Sequence, residues 1–131
     1  ILCYIKGIGR LYHNWGRTTP IVYKYCIKVE EKVQRQSAII KEYLDKVADL
    51  HEGFEVRGIG FMWGVDCNKV KPDAVSRAIV KECFNNGLIV ERAGRNNDVV
   101  KLMPCLLADD EILKKGLEIF VNAVKTVVEK M

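Results

Sequence analysis

Residues 55–67, with the sequence EVRGIGFMWGVDC, limit the possible folds more than any other stretch, because three glycines interrupt an apolar run without proline. Gly58 and Gly60 can adopt positive φ at no steric cost, so the backbone can reverse between residues 54–56 and 61–63. Two short strands that meet at a glycine turn are therefore predicted.

The second strand of this hairpin is predicted to be buried on both faces, because Phe61, Met62, Trp63 and Val65 do not alternate with polar residues. Gly64 is predicted to leave room for a neighbouring backbone to approach closely. We interpret Trp63 and Phe61 as core residues rather than as a platform on which a cofactor stacks. Glycine hairpins with aromatic strands occur in many folds, so this pattern alone indicates no particular function.

Helical periodicity appears on both sides of the hairpin. A first helix is predicted over residues 28–50, with Gly53 as its left-handed terminus, and a second from Pro72 or Asp73 to residues 85–87. The predicted buried residues are Val29, Val33, Ile40, Tyr43, Leu44 and Val47 in the first helix, and Val75, Ile79, Val80, Cys83 and Phe84 in the second.

Two more strands and a third helix are predicted in the remaining chain. The strands are residues 88–90 and 99–103, separated by a polar loop over residues 91–97, and Pro104 ends the second of them. Acidic residues 109–111 favour a helix start. Its predicted buried residues are Ile112 or Leu113, Leu117, Phe120, Val124, Val127 and Val128, with Gly116 at a close contact. This order predicts an α/β (α+β) domain, with a mixed or antiparallel sheet covered by helices.

The composition indicates an ordinary globular protein. Of 131 residues, 49% are hydrophobic and 29% charged, which excludes a disordered or fibrous chain. No apolar run reaches the ~20 residues of a membrane span and no signal peptide is recognisable, so we expect a cytoplasmic location and no membrane partner.

The net charge of +4 is confined to the first segment of the chain. Residues 1–26 contain four basic residues and no acidic one, so the other 17 of the 21 basic residues balance the 17 acidic ones. No basic stripe with interleaved aromatics is present, and we expect no nucleic-acid partner. We interpret residues 1–26 as a poorly matched segment, either non-native or a hinge remnant, and residues 27–131 as the folded domain. The pair Gly7 and Gly9 is read as a turn rather than a phosphate loop.

The cysteines and histidines show no catalytic or metal-binding spacing. Five cysteines, an odd number without a close pair, fit neither a disulfide framework nor a zinc site. Cys83 and Cys105 are predicted in the core. Cys67 is assigned a packing or loop role, and His13 and His51 are assigned no chemistry.

Three segments, read together, resemble a known family. They are VRGIGFMWGVD at residues 56–66, NGLIVE at residues 86–91 and VVKLMP at residues 99–104, the last followed by an acidic helix start. They resemble the C-terminal small domain of class III pyridoxal-phosphate aminotransferases. Within that class, MWGVDC with VVKL is most similar to the diaminobutyrate:2-oxoglutarate aminotransferase branch of ectoine synthesis.

This resemblance implies a two-domain, usually dimeric enzyme whose large domain holds pyridoxal phosphate on a lysine. The sequence contains no match to the cofactor-lysine segment, so we expect no cofactor-binding or catalytic residue here and no cofactor bound by this chain alone. Expected partners are the missing large domain or a homodimer partner, and amino-acid and 2-oxo-acid substrates.

One site residue is carried over from the family. Lys101 stands where many class III enzymes have an arginine that binds the substrate carboxylate, and a lysine offers one compact charge instead of a bidentate fork. The resemblance therefore implies a substrate-binding role for Lys101, with an exposed strand-end lysine as the alternative. Arg57 is interpreted as a structural or surface residue.

Three functional readings remain open from the sequence. The first is a fragment of a diaminobutyrate transaminase that is inactive alone. The second is the small domain of an ornithine, acetylornithine or 4-aminobutyrate aminotransferase. The third is a non-catalytic binding or dimer-modulating module.

Overall fold

The computed structural model describes the backbone of residues 19–131 and the side chains of residues 28–71 and 73–131. The elements are α1 (Thr19–Ala48), β1 (Glu55–Ile59), β2 (Met62–Asp66), α2 (Pro72–Asn85), β3 (Glu91–Ala93), β4 (Val99–Leu102) and α3 (Asp110–Glu129). This is the predicted order of helices and strands. The predicted turn at Gly7 and Gly9 lies outside the described residues, as do the side chains of Cys3, Cys26 and His13.

The four strands form one antiparallel sheet in the order β1-β2-β4-β3. In the β2–β4 pair, Trp63 lies opposite Leu102 and Val65 lies opposite Val100. The glycine hairpin and the strand that contains Lys101 are therefore direct neighbours. The predicted helix-covered sheet is confirmed, and it is antiparallel rather than mixed.

The hairpin turns later in the sequence than predicted. Ile59 pairs with Met62, so the two turn residues are Gly60 and Phe61. Of Gly58 and Gly60, which were both predicted to have positive φ, Gly60 has it, at 57°, and Gly58 does not. Trp63 Nε1 donates to the Gly60 carbonyl at 2.8 Å and ties the turn to β2. Gly58 instead lies inside β1, where a Cβ would come within 2.4 Å of the Met62 carbonyl oxygen.

The prediction that β2 is buried on both faces is wrong. Trp63 and Val65 are buried, whereas Met62, which follows the turn and pairs with Ile59, is 58% exposed. Only one face of β2 is covered, since its side chains alternate in direction along the strand. Gly64 does not accommodate a neighbouring backbone either, because its closest neighbour is the Val99 side chain, 2.9 Å from an ideal Cβ.

Helix α1 begins at Thr19 rather than at residue 28, as Pro20 is tolerated in the first turn of a helix. Its buried residues include Ile40, Leu44 and Val47, as predicted. Gly53 does not have the predicted left-handed conformation. It is buried against Val70, whose Cγ2 would lie 2.1 Å from an added Cβ, so Gly53 serves close packing rather than helix termination.

Helix α2 packs against β3, β4 and α3. Val75, Ile79 and Cys83 are buried as predicted, but Phe84 is 68% exposed. The strand predicted over residues 88–90 is displaced to β3, inside the predicted polar loop. The chain is still turning at this point, because Gly87 has positive φ and the Leu88 N–H bonds back to the Cys83 carbonyl at 2.9 Å.

Helix α3 completes the core. Leu113 is buried and Ile112 is 65% exposed, which resolves the predicted alternative. Gly116 makes no close contact, since an added Cβ would lie 3.7 Å from Leu88 Cδ1, an ordinary distance. The prediction that Cys105 lies in the core is wrong, because this thiol is exposed.

Candidate functional site

The candidate site lies on the face of the sheet that points away from the buried core. Val100 and Leu102 are buried, so Lys101 between them points to the opposite face. Directly opposite residues of antiparallel strands share a face, and Lys101 lies opposite Gly64 on β2 and Glu91 on β3. Gly64 in turn lies opposite Arg57. We call the row Arg57, Gly64, Lys101 and Glu91 the open-face row.

Lys101 is held by a cross-strand ion pair. Its Nζ lies 2.7 Å from Glu91 Oε2, and the lysine side chain is 30% exposed whereas that of Glu91 is 61% exposed. The hydrogen bond from Lys101, followed by its positive charge, lowers the pKa of Glu91 below the ordinary value for glutamate. The row therefore presents an ammonium and a carboxylate side by side at neutral pH.

Gly64 contributes no side chain beside Lys101, and the Val99 side chain lies over this position, 2.9 Å from an ideal Gly64 Cβ. A glycine carries no side chain, so nothing projects from β2 between Lys101 and Arg57 on this face. The Lys101 side chain is 30% exposed, so part of it remains accessible to a small molecule.

Arg57 has partners of its own within the sheet. Its Nη2 lies 2.5 Å from Asp66 Oδ2 on β2, and its Nη1 lies 3.8 Å from Glu55 Oε1. Asp66 also accepts the Asn68 backbone N–H at 2.9 Å. These contacts support the surface role predicted for Arg57, and they distinguish it from Lys101, whose one carboxylate partner is 61% exposed.

A second charged cluster fixes β3 against α2. Asp73 Oδ1 and Oδ2 each lie 2.6 Å from a guanidinium nitrogen, of Arg92 and Arg77 respectively. Hydrogen bonds from Arg92 and Arg77 lower the pKa of Asp73. Ser76, which is buried, donates to the Asn97 carbonyl at 2.6 Å. These contacts position β3, and hence Glu91, beside Lys101.

Cys67 and Cys83, which are buried in the described part of the chain, are unsuited to nucleophilic chemistry. Burial is the largest of the causes that raise the pKa of Cys67 and of Cys83 to about 12. Both side chains are therefore neutral thiols at physiological pH, and the thiolate is the reactive form. The packing role predicted for Cys67 agrees with this environment.

A shallow groove of about 520 Å³ lies elsewhere on the domain, beside the start of α2 and the end of α3. It is mainly apolar and is lined by His51, Val70, Lys71, Ala74, Val75, Ala78, Val127, Lys130 and Met131. His51 Nδ1 accepts the Gly53 N–H at 2.9 Å, so His51 has a structural role in this loop. None of the open-face residues lines the groove.

Sequence reasoning missed Glu91 as a site residue, because it placed this residue in a polar loop. The signal to look for is alternation of apolar and polar residues, which the adjacent charged residues Glu91 and Arg92 do not show. A three-residue strand is too short for this signal to be distinguished from a loop.

Pyridoxal phosphate requires a lysine that can carry it and groups that cradle its phosphate. Among residues 28–131, the part of the chain with described side chains, no lysine is buried. Lys101, the lysine at the candidate site, is partly exposed and paired with Glu91. The described residues therefore do not fit the cofactor. Within them, no group of three or more potential metal ligands is found, and no helix is both long and apolar enough to cross a bilayer.

The fold is that of a domain found in aminotransferases. The N-acetylornithine aminotransferase of Stenotrophomonas maltophilia matches 79% of this chain with a TM-score of 0.69 at 27% identity. A PLP-bound aminotransferase mutant from Vibrio fluvialis matches 78% of it with a TM-score of 0.66 at 26% identity. These matches cover 28% and 24% of the two neighbours, respectively.

The sequence comparison defines the family. The model of class III aminotransferases matches residues 25–124, and the chain belongs to this family. The diaminobutyrate–2-oxoglutarate transaminase of Halalkalibacterium halodurans is 37% identical over 102 residues, which is 76% of this chain and 23% of that enzyme. An uncharacterized aminotransferase of Sinorhizobium fredii is 37% identical over 125 residues, or 94% of this chain and 25% of the relative. The chain thus spans about a quarter of the length of these relatives.

Proposed function

We propose that residues 27–131 are the C-terminal small domain of a diaminobutyrate–2-oxoglutarate transaminase. The intact enzyme would move an amino group between L-2,4-diaminobutyrate and 2-oxoglutarate, giving L-aspartate 4-semialdehyde and L-glutamate, a reaction of ectoine synthesis. The observation that carries this proposal is the repeated occurrence of that activity among relatives 31–37% identical to the chain. Residues 1–26 are proposed to be a hinge remnant or a non-native segment.

In the intact enzyme, Lys101 binds a substrate carboxylate. Three features of the structure support this role. Its ammonium lies on the face of the sheet away from the core, its side chain is 30% exposed, and its carboxylate partner among the described residues, Glu91, is mostly exposed. An exposed ion pair of this kind contributes only ~0–1 kcal/mol, so a substrate carboxylate can displace it.

The reaction itself takes place on pyridoxal phosphate, held by residues outside this chain. We expect the purified chain, mixed with the cofactor, to give neither the absorbance of a lysine-bound form nor any transamination. Borohydride treatment followed by peptide mapping should find no lysine labelled stoichiometrically. A single stoichiometric label on one lysine would contradict the proposal that the cofactor domain is elsewhere.

A hybrid enzyme tests the substrate assignment. Residues 27–131 replace the matching C-terminal residues of the Halalkalibacterium halodurans transaminase, and amino donors are compared at saturating 2-oxoglutarate. Diaminobutyrate is expected to remain the preferred donor, with the parent enzyme as the control. A hybrid that folds and prefers ornithine, acetylornithine or 4-aminobutyrate would favour the alternative branches. A folded but inactive hybrid would favour the non-catalytic module.

A further inference from the structure

Glu91 has no role in the proposed carboxylate contact, yet its carboxylate lies 2.7 Å from the Lys101 ammonium. For a substrate with only a carboxylate, this arrangement is unfavourable. The incoming anion must displace Glu91 from Lys101 and is then left close to a second negative charge.

A zwitterionic amino-acid head group, by contrast, carries one charge to pair with Lys101 and one to pair with Glu91. Its carboxylate and its α-ammonium are adjacent, as are the charges of Lys101 and Glu91. Laid antiparallel to the pair, the head group places its carboxylate on Lys101 and its ammonium on Glu91. Both protein charges then keep a partner, and no like charges are brought together.

The sheet holds the two charges in a fixed geometry for such a head group. Glu91 and Lys101 are direct cross-strand partners on one face, which brings their Cβ atoms within about 5.5 Å of each other. On the other side of Lys101, Gly64 carries no side chain, and the Val99 side chain lies against it. The neighbouring Arg92 points to the opposite face, where it is bound to Asp73, and so does not compete for Glu91.

We propose that Lys101 and Glu91 together form a subsite for the zwitterionic head group of an α-amino acid whose reacting amine lies at the other end. This inference rests on the proposed function, because the conversion of diaminobutyrate to a 4-semialdehyde leaves the α-amino and carboxyl groups unchanged. Glu91 is then the residue that selects a diamino acid over a simple ω-amino carboxylate.

The test is an NMR titration of the full 131-residue chain with two matched probes, L-2-aminobutyrate and butyrate, at constant ionic strength. The backbone amides of Gly64, Glu91 and Lys101 report binding. The wild type is expected to bind 2-aminobutyrate about two- to five-fold more tightly than butyrate, the range that an exposed ion pair provides.

The variants give opposite predictions for the two probes. Glu91→Gln should bind butyrate more tightly and 2-aminobutyrate less tightly than the wild type, so the preference is lost or reversed. Glu55→Gln is the matched control, since it removes a carboxylate from the far edge strand, and it should keep the wild-type preference. Lys101→Gln should weaken both probes.

Two results would overturn the inference. One is an unchanged preference in Glu91→Gln, and the other is the absence of any response of these amides to either probe in the wild type and in Glu91→Gln. A third result separates the two residues. If Lys101→Gln weakens the binding of both probes but the wild type does not prefer 2-aminobutyrate, the role of Glu91 is refuted and the role of Lys101 in binding a carboxylate is retained. Failure of the transaminase assignment is detected separately, in the hybrid enzyme.

Discussion

The replacement of Phe120 by alanine tests the packing that holds the sheet against its helices. Phe120 on α3 is completely buried, and truncation of a core phenylalanine costs about 3–5 kcal/mol. A unit the size of residues 33–131 has a stability of roughly 5–15 kcal/mol, so this one change removes a large part of it. At about 4–8 °C per kcal/mol, the melting temperature should fall by roughly 12–40 °C.

Urea denaturation followed by the fluorescence of Trp63 is the suitable assay, because this indole is buried and bonded to the hairpin turn. A Trp15→Phe background leaves Trp63 as the sole tryptophan reporter. With a urea m-value of about 1–3 kcal/mol/M, the midpoint should drop by roughly 1–5 M.

Phe84→Ala is the matched control. Phe84 is also a helical phenylalanine with the right periodicity for burial, but it is 68% exposed, so its replacement should change the stability by less than about 0.5 kcal/mol. Equal losses at Phe84 and Phe120, or a greater loss at Phe84, would refute the packing described for α2 and α3.

Three further predictions concern backbone packing, thiols and acid stability. Gly58→Ala should destabilise the domain by about 1–3 kcal/mol, because the added Cβ meets the Met62 carbonyl. Gly116→Ala should stabilise it by about 0.5–1 kcal/mol, because glycine is unfavourable inside a helix and the added Cβ has room. Both are measured by urea denaturation, and effects of the opposite sign would contradict the structure. In a Cys3→Ser, Cys26→Ser background, Ellman's reagent at pH 8 should label Cys105 quickly and the buried Cys67 and Cys83 only on unfolding, and three fast thiols would contradict their burial. The pKa values of Glu91 and Asp73 are lowered by folding, so their ion pairs stabilise the native state above the unfolded pKa of about 4, and this contribution is lost as the pH falls through the lower folded values. Stability measured from pH 6 to pH 2.5 should therefore fall less steeply in an Asp73→Asn, Glu91→Gln variant, and an unchanged slope would show that these pairs do not contribute.

The sequence was sufficient to predict the elements with long, regular patterns. The buried stripe of α3 follows directly from its helical periodicity, and the hairpin follows from its glycines. The failures share one physical cause, which is that a pattern does not show how many sides of an element are covered. Met62 and Phe84 have apolar side chains in apolar runs, yet each is more than half exposed.

Of the two residues proposed to form the subsite, the sequence singled out one. Lys101 was found through the family resemblance, and the structure places it on the face of the sheet away from the core. Glu91 was missed because its strand has only three residues, and cross-strand pairing between residues ten positions apart in the sequence depends on the register of the sheet. The glycines were likewise misjudged, because close packing at Gly53 and Gly58 is a tertiary property that conformational preference does not reveal.

The decisive measurement is the effect of Lys101→Gln on the Michaelis constants of the hybrid transaminase, with Lys101→Arg and the exposed helical variant Lys81→Gln as controls. A charge-assisted hydrogen bond to a carboxylate contributes about 1.5–3 kcal/mol, so the constants for diaminobutyrate and 2-oxoglutarate should rise by roughly 10- to 100-fold. Arginine should restore much of the binding, and Lys81→Gln should have no effect. Unchanged Michaelis constants for both substrates in Lys101→Gln would contradict the assignment of this face of the sheet to the substrate.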